Sequence, residues 1–243
     1  MRKSAKYLSV FPISMILLFL LSCSTGYNKY ADQYYEEGRV FYEKMEYDRS
    51  IDSFKKVLEV APYGKDNDLV YYNLGMAYFK QRQYDESIYQ FSKALELIPG
   101  KDNKRKFEVL EWRGNAFQKN KDFDNAIKDY SKAIQLIPTH EHIKNIYHNR
   151  AWSWINKKKF DKAIEDFNSA ISIDPEFDAS YYGRAYVWFR KADLQRATVD
   201  AKKAVKLNPE NKKYDDLLYE IKSSKKVGGD ALWGPFINVV NRK

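Results

Sequence analysis

Five of the seven prolines fall on a beat: Pro62, Pro99, Pro138, Pro175 and Pro209, at spacings of 37, 39, 37 and 34. Fifteen residues before each stands an aromatic or leucine, Tyr47, Tyr84, Phe123, Phe160 and Leu194. Three residues on come small side chains, Ser50, Ser87, Ala126, Ala163 and Ala197, and four further on Phe54, Phe91, Tyr130, Phe167 and Ala201. Steps of three and four keep side chains on one face of a helix. Each proline ends such a helix, because it lacks an N–H and disfavours helical backbone in the residue before it. A unit this short cannot bury its apolar face alone, so the copies must stack on their neighbours. The 16% aromatic content is then mostly packing, and ten glycines are few for an all-β chain full of tight turns.

The pattern resembles the tetratricopeptide repeat, a helix–turn–helix unit of 34 residues. Its copies run 31–64, 68–101, 107–140, 144–177 and 178–211, with inserts at Lys65–Asn67, Asp102–Lys106 and Glu141–Ile143. The family's early signature is a large residue at position 4, a small one at 8 and an aromatic at 11. Here these are Tyr34, Gly38, Phe41; Tyr71, Gly75, Tyr78; Leu110, Gly114, Phe117; Tyr147, Ala151, Trp154; and Tyr181, Ala185, Trp188. The resemblance implies an all-α fold, a right-handed superhelix of five helix–turn–helix repeats. Residues 212–226, with Leu217, Leu218 and Ile221 among charges, are expected to cap its last apolar face. Val227-Gly228-Gly229-Asp230 then breaks the helix, and 227–243 forms an apolar tail containing Leu232, Trp233, Phe236, Ile237, Val239 and Val240. Such a tail either folds back on the repeats or docks on a partner, and folding back avoids an exposed apolar patch.

The other end follows a different pattern. Residues 1–22 carry Arg2, Lys3 and Lys6 and no acid, with an apolar run from Tyr7 to Leu21 broken only by Ser9, Pro12 and Ser14. A basic start and a run shorter than the ~20 residues of a membrane span describe a signal peptide. Leu20-Leu21-Ser22-Cys23 resembles the bacterial lipoprotein box, which implies cleavage before Cys23 and its lipidation. An uncleaved N-terminal anchor with an incidental thiol is the competing reading. With one cysteine in the chain, an intramolecular disulfide and a cysteine-based zinc cluster are excluded. Cleavage would remove three of the nine net positive charges and leave 221 residues at +6, a mild excess that does not single out nucleic acid. Residues 23–30 are a tether of at most about 3.5 Å per residue, which would hold the first repeat close to the membrane. Ser24 stands where an inner-membrane retention aspartate would, so the expected address is the bacterial cell envelope, with the outer membrane favoured.

Catalytic arrangements are missing from the sequence: it has no Gly-rich phosphate loop, no G-x-S-x-G and no H-E-x-x-H. His140 and His142 are expected as exposed turn residues rather than metal ligands, and Glu36/Glu37 and Asp215/Asp216 as solvated helix faces. Neither an enzyme nor a cofactor is expected. In the family, first helices line a concave groove with positions 2, 5, 6, 9, 12 and 13. Carried onto this chain, the groove comprises Tyr35, Arg39, Tyr72, Asn73, Met76, Trp112, Asn115, His148, Asn149, Trp152, Tyr182 and Tyr186. Amide side chains both donate and accept, so Asn73, Asn115 and Asn149 could each grip a peptide unit while the aromatics hold side chains. The competing reading is that neighbouring repeats or the apolar tail already cover this face. No window of three repeats reproduces the family's basic clamp for acidic C-termini, so such a ligand is not expected. The expected function is a membrane-anchored scaffold that binds a protein or peptide segment and helps assemble a membrane complex. An accessory of a transport system that holds a small hydrophobic ligand is the alternative.

Overall fold

The computed structural model describes residues 29–226, and among these it contains eleven α-helices and no strand. The signal, Cys23 and the tail 227–243 lie outside the described residues. The chain divides into two compact units that meet at Pro99 and Gly100, beside the longest insert.

The first unit comprises α1 (29–43), α2 (Tyr47–Val60), α3 (Asn67–Lys80) and α4 (Tyr84–Leu97). Its core gathers Ile51, Phe54, Val57, Val70, Leu74 and Ala77. A methyl group at Gly38 would sit 2.8 Å from the Phe54 ring, and one at Gly75 2.7 Å from Phe91. Position 8 is therefore small because the aromatic at position 24 of the same repeat lies flat against it. Position 20 ties the same helices together: Ser50 Oγ donates to the Gly38 carbonyl and Ser87 Oγ to that of Gly75, each at 2.8 Å. In the insert, Asn67 Nδ2 donates to the carbonyls of Ala61 and Pro62, which the end of α2 leaves without helical partners.

The second unit comprises α5 (Asn103–Lys119), α6 (Phe123–Leu136), α7 (Ile143–Asn156), α8 (Phe160–Ile173), α9 (Asp178–Arg190), α10 (Leu194–Leu207) and α11 (Lys212–Lys226). Gly114 repeats the close approach, with a methyl placed 2.7 Å from Tyr130. Ala126, Ala163 and Ala197 take the serine's place at position 20, fully buried. Leu217, Leu218 and Ile221 of α11 pack on Ala185 of α9 and on Ala197 and Ala201 of α10. This contact covers the last repeat's apolar face.

One turn recurs in all five copies. Met45, Arg82, Lys121, Lys158 and Ala192 have φ between 57° and 64°, the left-handed region that glycine usually occupies. Each sits at position 15, directly after a first helix. At Lys121 the backbone N–H donates to the Gln118 carbonyl at 3.1 Å, and the next N–H, of Asp122, to Phe117 at 2.9 Å. That bond pair is the Schellman closure, which satisfies two carbonyls at the helix end. Asp102, Asp122 and Asp193 then cap α5, α6 and α10 by accepting from the backbone N–H three residues on.

In the second unit each repeat also carries a buried ion pair between positions 7 and 23. Arg113, Arg150 and Arg184 grip Asp129, Asp166 and Asp200 through two nitrogens each, at 2.6 to 2.8 Å. Arg150 also donates to Ser131 and Arg184 to Asn168, each in the preceding repeat, so the guanidinium ties neighbours together. The first unit has Glu37/Ser53 and Leu74/Gln90 at these positions. There the Gln90 Oε1 is buried with no hydrogen-bond partner.

Candidate functional site

The residues assigned to a groove fall into two sets, one in each unit. In the first, Tyr35, Arg39, Tyr72, Asn73 and Met76 stand on α1 and α3. Tyr35 and Tyr72 lie edge-on or tilted to the buried Phe54 and Phe91, with centroids 5.7 and 5.8 Å apart. Position 5 is thus partly a packing position and not purely a lining one. Asn73 Nδ2 donates to the Tyr35 hydroxyl at 2.9 Å and so joins α3 to α1. Arg39 is exposed and pairs with Glu36 at 3.2 Å.

In the second unit the remaining seven form a strip across α5, α7 and α9 that continues onto α11. Tyr130 is the copy of the position-24 ring that carries a hydroxyl, and it uses it: its OH donates to Asn115 Oδ1 at 2.7 Å. Asn149 Nδ2 donates to the same oxygen at 3.1 Å. With Oδ1 taken twice, the amide donors of Asn115 and the side-chain carbonyl of Asn149 are the groups that this pairing leaves over. Burial and the Glu111 and Asp129 charges push the Tyr130 hydroxyl well above its ordinary pKa, so it stays a proton donor. Gln118 Nε2 bonds the Asn149 backbone carbonyl at 2.7 Å and Ser153 Oγ at 3.0 Å, fixing α7 against α5.

Beside this amide pair the strip is aromatic. Trp152 lies 6.3 Å from Tyr182 and 5.7 Å from Tyr186, tilted by 36° and 37°, and Tyr182 stacks on Tyr214 of α11 at 5.0 Å. Tyr214 donates to Asp178 Oδ2 at 3.1 Å, and burial together with that carboxylate pushes its hydroxyl up to about 12. Burial likewise raises Tyr182, with smaller contributions from Tyr186, Glu220 and Asp216.

His148 is the departure from the expected lining. Phe167, Phe177 and Trp152 surround it at centroid distances of 5.6, 5.2 and 6.3 Å. Trp152 Nε1 can only donate, and it meets His148 Nε2 at 3.0 Å, so that nitrogen is the bare one. The proton therefore sits on Nδ1, 3.0 Å from the buried Ser180 Oγ. Burial pushes the imidazole pKa down to about 4, and the Asp178 charge opposes this only in part. His148 thus acts as a neutral bracket that positions Trp152 rather than as a group facing a ligand.

Of the other two histidines, His142 is exposed in its turn as expected and His140 is half-buried. His140 stacks on Phe107 at 3.9 Å, and its Nδ1 accepts the His142 backbone N–H. His142 Nδ1 lies 3.1 Å from Glu111 Oε2, whose carboxyl burial lifts above its ordinary range against the pull of that imidazole. Among the described residues no group of three or more His, Cys, Asp or Glu could hold a metal ion. None of the described helices is long and apolar enough to cross a membrane.

Sequence reasoning read Tyr130 only as a packing ring, and it missed the position-7/position-23 ion pairs and the tight place of Gly183. A methyl at Gly183 would fall 2.3 Å from Phe167, so this groove position is small to admit a ring from the preceding repeat.

Comparison with known proteins agrees with this architecture. No curated protein matches the chain. Among solved structures it is similar to the MamA protein, 24% identical over 77% of this chain and 97% of MamA, with a TM-score of 0.66. A tetratricopeptide repeat protein of Parabacteroides merdae is 16% identical over 82% of this chain and 74% of its own, with a TM-score of 0.71. YrrB, described as a TPR protein with an unusual peptide-binding site, is 20% identical over 83% and 97%, with a TM-score of 0.66. At these identities the likeness is one of fold. Residues 69–101, 108–140 and 145–177 match the tetratricopeptide repeat family, and in these segments the chain is built of tetratricopeptide repeats.

Proposed function

We propose that the chain is a protein-binding scaffold which holds an extended peptide segment along α5, α7 and α9. The observation that carries this reading is the Asn115–Asn149 pair. Tyr130 and the pairing itself consume one oxygen and one amide hydrogen, leaving a donor on one residue and an acceptor on the other. A peptide unit offers the matching C=O and N–H. Trp112, Trp152, Tyr182 and Tyr186, each half-buried, lie on the same strip and suit large apolar side chains, which bind there with little loss of conformational freedom. The peptide-binding site ascribed to YrrB supports the reading at the level of fold.

The scaffold is further proposed to work on the bacterial cell envelope, tethered by a lipidated Cys23 and helping to assemble a membrane complex. The support is the Leu20–Cys23 motif behind a short basic–apolar leader. Substitution Cys23→Ser should move the protein from the membrane fraction to the soluble one, and unchanged retention would defeat the anchor. A pull-down from solubilised envelope should recover a stoichiometric membrane protein, lost in a Trp112→Ala, Trp152→Ala variant whose unfolding midpoint shows it still folded. If that folded variant retained the partner while deletion of 227–243 lost it, the groove would not be the binding site.

A further inference from the structure

The strip of the second unit does not end at α9. We propose that the segment held in it carries a basic side chain, which docks at the α11 end between Asp216 and Glu220, beside the rings of Tyr182 and Tyr186. This rests on the groove reading above and names the chemistry of its partner.

Helix register comes first. α11 begins at Lys212, 34 residues after α9 begins at Asp178. That is the length of one repeat, so α11 takes the place of a sixth first helix. Tyr182 and Tyr186 are the fifth and ninth residues of α9, and Asp216 and Glu220 are the fifth and ninth of α11. His148 and Trp152 hold the same places in the fourth copy. The buried stripe of α11, Tyr214, Leu217, Leu218 and Ile221, fixes its rotation. Its leucines and isoleucine pack on the last repeat, and Tyr214 stacks on Tyr182 at 5.0 Å. A step of four puts Asp216 and Glu220 together on one face beside that stripe. Both carboxylate charges act on the Tyr182 hydroxyl, and so does Tyr186, so the four groups converge.

The charge gathered there has one sign. Asp216 and Glu220 are like charges one turn apart, an arrangement that costs a helix stability. Burial and the Asp216 charge both lift the Glu220 carboxyl above its ordinary range, and no cation offsets them. Among the described residues neither carboxylate makes an ion pair. Arg190 of α9 donates instead to the Tyr186 hydroxyl at 2.8 Å, and Lys212 and Lys213, a turn before Asp216, pair with neither acid. The half-buried Tyr182 hydroxyl makes no hydrogen bond among these residues either. Two carboxylates and a hydroxyl, all able to accept, thus stand beside aromatic rings. An ammonium brings three donors and a guanidinium five, and rings attract either cation in addition to the charges. The pairs α7/α9 and α9/α11 are in contact. Helix spacings of 8–10 Å then set Asn149 and the α11 carboxylates roughly 16–20 Å apart, which about five or six extended residues span. The partner is accordingly an extended segment with a basic residue at one end of that span and large apolar residues between, over Trp152 and Tyr186.

The test uses the full chain and an Asp216→Asn, Glu220→Gln variant, which keeps the side-chain shapes and removes their charge. The probe is a degenerate decapeptide library, acetylated and amidated so that its termini carry no charge, from which each immobilised protein selects sequences. The wild type should enrich Lys or Arg about tenfold at one position beside a stretch of large apolar residues. The variant should lose the basic enrichment and keep the apolar one. Basic enrichment that persists in the variant, or apolar enrichment with no basic preference in the wild type, would overturn the proposal and leave the groove standing. If the basic enrichment needs Asp216 and Glu220 but survives Trp112→Ala, Trp152→Ala, the acidic end stands and the aromatic groove fails. No selection by the wild type would sink both. With no peptide present, the variant should unfold at the same midpoint as the wild type or a higher one, since a repulsion is gone. A lower midpoint would show that a cation of the chain itself already holds the two carboxylates, which also overturns the proposal.

Discussion

His148 makes the stability of the second unit depend on pH in a calculable way. Its folded pKa is lowered to about 4 from an ordinary value of 6.5 by burial among Phe167, Phe177 and Trp152, with Asp178 the charge that resists. The unfolded chain therefore binds the proton first as pH falls, and the stabilisation is complete above 6.5 and lost between 6.5 and 4. A shift of this size corresponds to about 3 kcal/mol in full, of which roughly 2 kcal/mol disappears between pH 7 and pH 5. Glutamine is the informative replacement, since its Oε1 can accept from Trp152 and its Nε2 can donate to Ser180, yet it does not titrate. All five tryptophans, Trp112, Trp152, Trp154, Trp188 and Trp233, lie beyond Gly100. Tryptophan fluorescence during urea unfolding consequently reports the second unit alone. Carboxylates titrate below pH 5 in both proteins, so the difference between wild type and His148→Gln isolates the imidazole. That difference should shrink by about 2 kcal/mol from pH 7 to pH 5. Parallel curves for the two proteins over this range would show that His148 is solvated when folded, and the bracket geometry around Trp152 would be wrong.

Three further substitutions probe the frame that carries the site. Lys121→Gly, at a left-handed position with φ of 64°, should raise the unfolding free energy by about 1 kcal/mol, because it relieves a side-chain clash that exceeds glycine's entropic cost; a loss in thermal denaturation would mean that the lysine side chain is itself stabilising. Gly183→Ala places a methyl 2.3 Å from Phe167 and should cost about 2 kcal/mol in urea denaturation through overpacking, with a neutral result showing that the ring is free to move. Asp166→Ala leaves the Arg150 side chain, 18% exposed, without its carboxylate and should cost about 3 kcal/mol, most of it recovered in an Arg150→Met, Asp166→Leu double variant. Equal destabilisation by the single and double changes would place the effect in lost packing rather than in stranded charge.

What can be read from the sequence and what cannot divide along a physical line. The helix–turn–helix copies are legible because the contact that makes each one, Gly38 on Phe54 or Gly75 on Phe91, lies within a repeat and recurs at a fixed spacing. Position 15 is not legible: Met45, Arg82, Lys121, Lys158 and Ala192 share a backbone conformation and no side-chain chemistry, since the Schellman bonds that hold them are made by the main chain. The ion pairs are present as a spacing of 16 in Arg113/Asp129, Arg150/Asp166 and Arg184/Asp200, but they are hidden among 42 basic and 33 acidic residues and absent from the first two copies. A single repeat leaves His148 open, which is why its position reads as groove lining. Phe177 and Ser180, from the end of its repeat and the start of the next, close over it. Tyr130 differs from Phe54, Phe91 and Phe167 by one oxygen, and that oxygen sets which groups Asn115 presents. A recurring residue answers to the contact that every copy must make. A residue that departs from its copies at a buried or half-buried position, as Tyr130, His148 and Gly183 do, answers to something found in one place only. In this chain these three stand in the second unit, around the strip formed by Asn115, Asn149, Trp152 and Tyr182, beside the amide pair on which the proposed binding reading rests.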